Sequence, residues 1–196
     1  ARSAAARSSG SERIHVVDSK NASLGQGQLV VLAAECADSG FDIERTMALL
    51  DAQIPLTRSF ALLHDLRYAV RGGRVPSWVK SIADTFRLKP IIATKPDGRI
   101  SPAGFVFGAG RRIHRFAGFI ARRAPKNDAI EVGIGHALCE DDARTLEGEL
   151  RRRLPNIARL TLCALGPGLG AHGGPGTLLV AIGPLLSAED IAGRLD

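Results

Sequence analysis

Leu160-Thr-Leu-Cys-Ala-Leu165, then Gly166-Pro-Gly-Leu-Gly-Ala-His172-Gly-Gly-Pro-Gly176, then Thr177-Leu-Leu-Val-Ala-Ile182: two apolar runs flank a segment almost bare of side chains. The runs read as strands and the segment between them as a loop. Such a loop lets a ligand approach the backbone closely and exposes amide N–H groups. Its one polar side chain, His172, adds a hydrogen-bonding ring, and the combination suits an oxyanion such as a carboxylate or phosphate. Gly168-Leu-Gly170-Ala-His172-Gly173 also has the spacing G-x-G-x-x-G. A dinucleotide fingerprint needs a helix opening among the glycines. Here the chain is expected to run on into a strand, which leaves no helix dipole for a pyrophosphate.

Working outward, strands and helices alternate. Ile14–Val17, Ser59–Leu63, Leu88–Ala93, Arg99–Phe105 and Ala129–Gly135 read as strands, with a hairpin about Pro96-Asp97-Gly98. Ala1–Arg7 reads as the tail of a helix, and Gly27–Asp38 as an apolar helix stopped by Gly40. Asp42 caps a helix expected to place Ile43, Met47, Leu50 and Ile54 on one face, ended by Pro55. Leu66–Arg71 is a short helix broken by Gly72-Gly73. Pro76 starts a helix carrying Trp78, Val79, Ile82 and Phe86, more simply core than a ligand wall. Arg111–Arg123 and Glu140–Leu154 are charged helices, and Ser187 with Asp190 caps a last one. The alternation predicts an α/β fold, a mixed sheet with flanking helices. It has no internal repeat or long linker.

The 196 residues, 45% of them hydrophobic, are enough for a real core. No apolar run approaches the roughly 18 residues of a membrane span. The net charge of +6 comes mostly from arginine, in short separated clusters, and aromatics are only 5%. That is too few for base-stacking platforms, so solvated helix faces are the simplest reading. Cys36, Cys139 and Cys163 lie in apolar stretches at no metal-like spacing and read as buried free thiols of a reducing, cytoplasmic compartment. No metal site is expected; His136-x-x-Cys139 falls short of the four ligands of a structural zinc.

Four segments stand in order: Val16-Val-Asp18-Ser19-Lys-Asn-Ala-Ser23-Leu-Gly-Gln-Gly27; Leu66-Arg-Tyr-Ala69-Val-Arg-Gly72-Gly73-Arg74-Val75; Lys89-Pro-Ile-Ile92 with Asp97-Gly-Arg-Ile100; and Gly170-Ala-His172-Gly-Gly-Pro-Gly176. Together they resemble the DegV family, the bacterial fatty-acid-binding proteins, over almost the whole chain. The resemblance implies a two-lobed α/β fold that holds a long-chain fatty acid between its lobes. It implies a non-catalytic carrier, without a cofactor, that presents the carboxylate to the catalytic subunit of a fatty acid kinase. It assigns the head-group contact to His172, with Gly170, Gly173 and Gly174 around it. The family's N-terminal lobe, with a serine/threonine-rich loop and a Ser-Gly-Thr segment, has no counterpart here. Residues 1–196 therefore read as the lipid-binding domain without that segment, either a fragment or a chain completed by a partner. Ala69 stands where the family usually has leucine, which predicts looser packing before Gly72-Gly73. Ser19, Ser23 and Arg74 are candidates to line the cleft; Asp18, Ser19 and Ser23 otherwise read as helix caps. Arg111, Arg112 and Arg115 are candidates for docking the kinase.

Two other functions are open to the residues alone. A hydrolase or acyltransferase could use His172 as base, but the chain has no G-x-S-x-G elbow. A nucleic-acid-binding module would use the charge of +6. His15, His64, His114 and His136 share no partner in sequence and read as structural.

Overall fold

A computed structural model describes residues 1–73 and 88–186. Arg74, the Pro76 helix with Trp78, Val79, Ile82 and Phe86, and the Ser187 cap lie outside the described residues. The helices are α1 (Arg2–Ala5), α2 (Leu24–Asp38), α3 (Ile43–Gln53), α4 (Leu66–Arg71), α5 (Arg112–Ala121), α6 (Glu140–Arg153) and α7 (Pro167–Gly173). The strands are β1 (Arg58–Leu62), β2 (Leu88–Thr94), β3 (Ile100–Phe107), β4 (Ile130–His136), β5 (Ile157–Ala164) and β6 (Leu178–Pro184).

One sheet holds all six strands in the order β3-β2-β1-β6-β4-β5. β4 and β5 run parallel, joined through α6, and every other pairing is antiparallel. The mixed α/β architecture follows the sequence expectation. β6 lies near the middle, with all seven residues buried. A strand covered on both faces has no reason to alternate polar and apolar residues, and Leu178–Ile182 does not.

Alternate residues of β1 divide the protein into layers. Phe60 and Leu62 point into the main core with Phe116, Ile120, Leu146 and Leu150, so α5 and α6 cover that face. Ala61, and Leu63 just beyond the strand, point the other way and pack with Leu66, Ala69 and Leu179 under α4. α2 joins this second face and carries α3 outside it through Leu29, Leu32, Leu49 and Leu50. Fully burying each such side chain contributes roughly 1.5–3 kcal/mol, so the main core dominates stability.

Local signals hold for several elements. Asp42 caps α3 by accepting the Arg45 amide at 2.8 Å. Asp65 caps α4 by accepting the Arg67 amide at 2.8 Å, and the bonded Arg67 side chain holds its carboxyl below the usual range. α6 opens on Glu140, Asp141 and Asp142 and closes on Arg151, Arg152 and Arg153, matching the helix dipole at both ends. Arg151 and Arg152 pair with Glu147 and Glu149, so this cluster is the solvated face that was expected.

Other expectations fail for tertiary reasons. Ile14–Val17 joins no ladder; the chain is extended there, with Val17 resting on the α2–α3 core. α2 starts at Leu24 rather than Gly27, because Leu24 packs on the second-face core and overrides two unfavourable glycines. On α3 the buried face is Thr46, Leu49, Leu50 and Gln53, while Ile43 is exposed. The glycine segment forms a helix, α7, with Gly166 as N-cap and Pro167 in its first turn. Helix does form among these glycines, so the reason first given against a nucleotide fingerprint is corrected. The fingerprint's glycines lie inside α7, and the helix ends where the motif ends, which still leaves no helix running on from it.

The cysteines differ from one another. Cys36 is buried and Cys139 partly so, and burial pushes both thiols up. Cys163 is exposed, because β5 is an edge strand that turns that residue outward. With Ellman's reagent we expect one fast-reacting thiol in the native protein, lost in Cys163→Ser. The other two will react only on unfolding; two fast thiols would contradict the burial of Cys36 and Cys139.

Candidate functional site

α4 and α7 pack against each other above the second face of the sheet. Below them opens a cleft of about 670 Å³, counted out to and including the solvent at its mouth. Its walls are nearly all apolar: Ala61, Leu63, Ala69, Ile92, Leu169 and Leu179. His172, Ser59, Thr94 and Thr177 are the polar side chains on its lining.

The cleft runs along the strands. Leu62 pairs with Leu178, next to Thr177 and the His172 helix, whereas Ser59 pairs with Ala181. Three residues of strand separate the two positions, roughly 10 Å. The polar groups at the Ser59 end are satisfied internally. Asn21 Oδ1 accepts from the Ser59 hydroxyl at 3.0 Å and the Thr94 hydroxyl at 3.4 Å. Its amide nitrogen donates to the Thr57 and Ser19 carbonyls at 3.0 and 3.2 Å. At the other end the Thr177 hydroxyl donates to the Gly173 carbonyl at 2.7 Å. His172 is different: its Nδ1 is buried and has no hydrogen-bond partner among the described residues. An orphaned polar atom of this kind costs about 1–3 kcal/mol, and in a native site it calls for an explanation.

The imidazole has a fitted seat. A Cβ on Gly72 would stand 2.3 Å from His172 Nδ1, so the ring occupies the space that this glycine leaves. The pair Gly72-Gly73 does end α4, and Gly73 takes the left-handed conformation of a helix terminator. Its first member has this second use, which linear spacing does not reveal. Gly174, at φ +75°, lies against Tyr68: a Cβ there would meet the ring at 2.3 Å. Past it, the Gly176 amide donates to the Ala137 carbonyl at 2.7 Å and stitches the turn to the end of β4. His64 sits under Gly176; burial, helped by Lys89 and Arg112, holds its imidazole below the ordinary range.

Gly173 lines the cleft, while Gly170 and Gly174 do not. Their amides are engaged in α7, donating to the Gly166 and Gly170 carbonyls at 3.0 and 2.8 Å. Ser23 stands at the α2 N-cap with φ +55° but makes no capping hydrogen bond, and Ser19 bonds the Asn21 backbone. Asp18 accepts from the Lys20 amide at 3.2 Å, so none of the three caps α2. Neither serine is on the cleft wall; Ala22, between them, is. Arg112 pairs with Asp142, Arg115 donates to the Phe107 carbonyl, and Arg111 is exposed. Of the residues that sequence reasoning missed, Ser59 had one usable signal: it alternates with Ala61 and Leu63 on a single strand face.

Ala69 is 2% exposed and forms part of the cleft wall. The smaller side chain leaves volume to the cleft instead of loosening α4. Ala69→Leu is therefore expected to fill part of the cleft while the chain still folds, read as a smaller cavity beside α4 in a crystal structure of the variant; a cleft of the parent's size would contradict this placement.

A family profile described as "Uncharacterised protein, DegV family" matches residues 1–184. The chain belongs to the DegV family. A DegV domain-containing protein of Streptococcus pyogenes is 29% identical over 169 residues, 86% of this chain and 58% of its own length. The chain thus spans little more than half the length of such relatives. Among solved structures, a Thermus thermophilus DegV family protein described for its fatty acid binding is 25% identical, with a TM-score of 0.78 over 87% of this chain and 61% of its own. The Streptococcus pneumoniae fatty acid kinase B3 protein loaded with linoleic acid is 15% identical, with a TM-score of 0.78 over 88% and 60%. At that identity the likeness establishes a shared fold. Among the described residues no group of His, Cys, Asp and Glu could hold a metal, and no helix is long and apolar enough to cross a membrane.

Proposed function

We propose that the protein binds a long-chain fatty acid in this cleft, as a domain of a lipid carrier, and presents the carboxylate to a fatty acid kinase. The observation that carries the reading is His172, whose ring lies on the lining of an otherwise apolar cleft and whose buried Nδ1, seated against Gly72, has no hydrogen-bond partner among the described residues. A fatty acid supplies what both halves lack, an oxyanion for the ring and methylenes for the slot. Burying ~14 methylenes at ~0.8 kcal/mol each gives about 11 kcal/mol of gross stabilisation. Association and chain ordering offset much of it. The relatives support the choice of ligand, since the Thermus thermophilus protein is described for fatty acid binding and the Streptococcus pneumoniae protein carries linoleic acid. The second of these also supports a kinase as the partner.

A non-catalytic role is favoured by what surrounds the ring. No serine or cysteine among the described residues hydrogen-bonds His172, and Thr177 is already engaged with Gly173. Arg111 and Arg115 are exposed and are the docking candidates for the kinase, Arg115 while donating to the Phe107 carbonyl; Arg112, half-buried and paired with Asp142, acts first on its own fold. The test is extraction of the purified protein followed by mass spectrometry, with rebinding of oleate to the delipidated chain. A long-chain fatty acid in near-stoichiometric amount is expected. Protein that carries no acyl chain and rebinds none would end the reading.

A further inference from the structure

Strand β5 forms one edge of the sheet, and nothing among the described residues pairs with its free side. It is eight residues long, and from Arg159 to Ala164 it follows β4 in unbroken parallel register. Just past it the Leu165 amide donates to the His136 carbonyl at 2.8 Å. In a parallel ladder alternate residues turn both N–H and C=O toward the partner strand. Thr161 and Cys163 therefore bond to β4, and the N–H and C=O groups of Leu160, Leu162 and Ala164 stand on the free edge.

An edge of this kind is a template for another strand, and native sheets blunt it with proline, a bulge or a charge. β3, the opposite edge, carries Pro102 and a register shift against β2 between Ile91 and Ile92. β5 has no proline, and its one register shift precedes Arg159. Arg159 is also its one charged residue, and Glu35 at 2.7 Å and Glu131 at 3.9 Å draw that guanidinium back onto its own protomer.

The free edge matches itself. With two β5 strands antiparallel and Thr161 opposite Thr161 of a second copy, Leu160 falls opposite Leu162, and each such pair exchanges both its N–H···O bonds. Leu160 and Leu162 already rest against the main core, so the pairing joins one apolar row to another. On the other face of the sheet Thr161 meets Thr161 and Arg159 meets Cys163; Thr161 and Cys163 are exposed in the single chain. Cross-strand threonine pairs are favourable, and this register sets no like charges opposite one another. A strand of an unrelated protein would satisfy the backbone alone, whereas a second copy satisfies the side chains as well. We propose that two copies of this chain associate through β5, antiparallel and centred on Thr161, into one continuous sheet. No residue of β5 lines the fatty acid cleft, so the edge pairs whether or not the cleft is filled.

Sedimentation equilibrium of the whole chain is expected to show a concentration-dependent rise toward twice the mass of one chain. The double variant Thr161→Lys/Cys163→Lys sets cations opposite each other and opposite Arg159 of the second copy. It should weaken the dimer at least about ten-fold, because like charges directly opposite are destabilising. Both positions are exposed, so the variant keeps its fold, which circular dichroism verifies. Cross-linking reads the register. Thr161→Cys in a Cys163→Ser background should form a disulfide-linked dimer in oxidised glutathione, since residues of a non-hydrogen-bonded antiparallel pair lie about 4.5 Å apart at Cα, within disulfide reach. Ala158→Cys in the same background should not, because the two copies of that residue lie at opposite ends of the pairing. The proposal is overturned if the chain stays monomeric at every concentration, if the double variant dimerises as the parent does, or if Ala158→Cys cross-links as readily as Thr161→Cys.

Discussion

Replacing His172 with alanine will weaken oleate binding about 10- to 100-fold, because a hydrogen bond to a charged carboxylate contributes roughly 1.5–3 kcal/mol. The loss will not be complete, since the apolar walls that hold the chain remain. Gly72→Ala should reproduce much of the effect without touching the histidine. Its methyl would fall 2.3 Å from Nδ1 and turn the ring out of its seat, while the α4 backbone at Gly72, with φ −76°, accepts alanine without strain. Displacement of a fluorescent fatty acid measures both variants, and circular dichroism verifies that they fold. Parent-like affinity in His172→Ala would place the carboxylate elsewhere. Parent-like affinity in Gly72→Ala alone would mean that the ring need not sit where it does.

Gly174→Ala is expected to act on folding first. The backbone there has φ +75° and ψ 170°, a region almost confined to glycine that costs an L-residue about 1–3 kcal/mol. The added methyl also meets the Tyr68 ring at 2.3 Å, and overpacking of this kind costs about 1–3 kcal/mol more. Urea denaturation should show a loss on the order of 3 kcal/mol, a large fraction of a typical domain's stability. The double variant Gly174→Ala/Tyr68→Ala should recover the steric part and leave the backbone part. If the single variant unfolds with the parent's midpoint, α4 and the α7 turn do not interlock as described.

Much of the architecture was legible because it rests on local rules. The strands Ser59–Leu63, Leu88–Ala93 and Ala129–Gly135, the cap at Asp42, and the terminator after Arg71 all depend on neighbours within a turn or a strand face. Ile14–Val17 looked as much like a strand as these do. A strand, however, is made by its ladder partner, and composition cannot announce one. The same limit explains α7. Glycine and proline are poor in a helix interior, yet the segment closes into one because Gly166 and Pro167 start it well and Tyr68 and Thr177 brace its end.

The site divides along the same line. That His172 stands among residues with almost no side chains is a property of the chain itself, and it marks out the ring in the sequence alone. That the ring fills the space over Gly72, a hundred positions away in sequence, is not. Nor is the way in which Asn21 satisfies Ser59 and Thr94 while His172 Nδ1 stays without a partner. By itself, then, the sequence determined the mixed α/β class, the family and the one histidine. Only the tertiary structure decided which polar group is left unsatisfied on an apolar wall. Hydrogen-bond satisfaction depends on groups brought together by folding, and linear spacing carries no record of those distances.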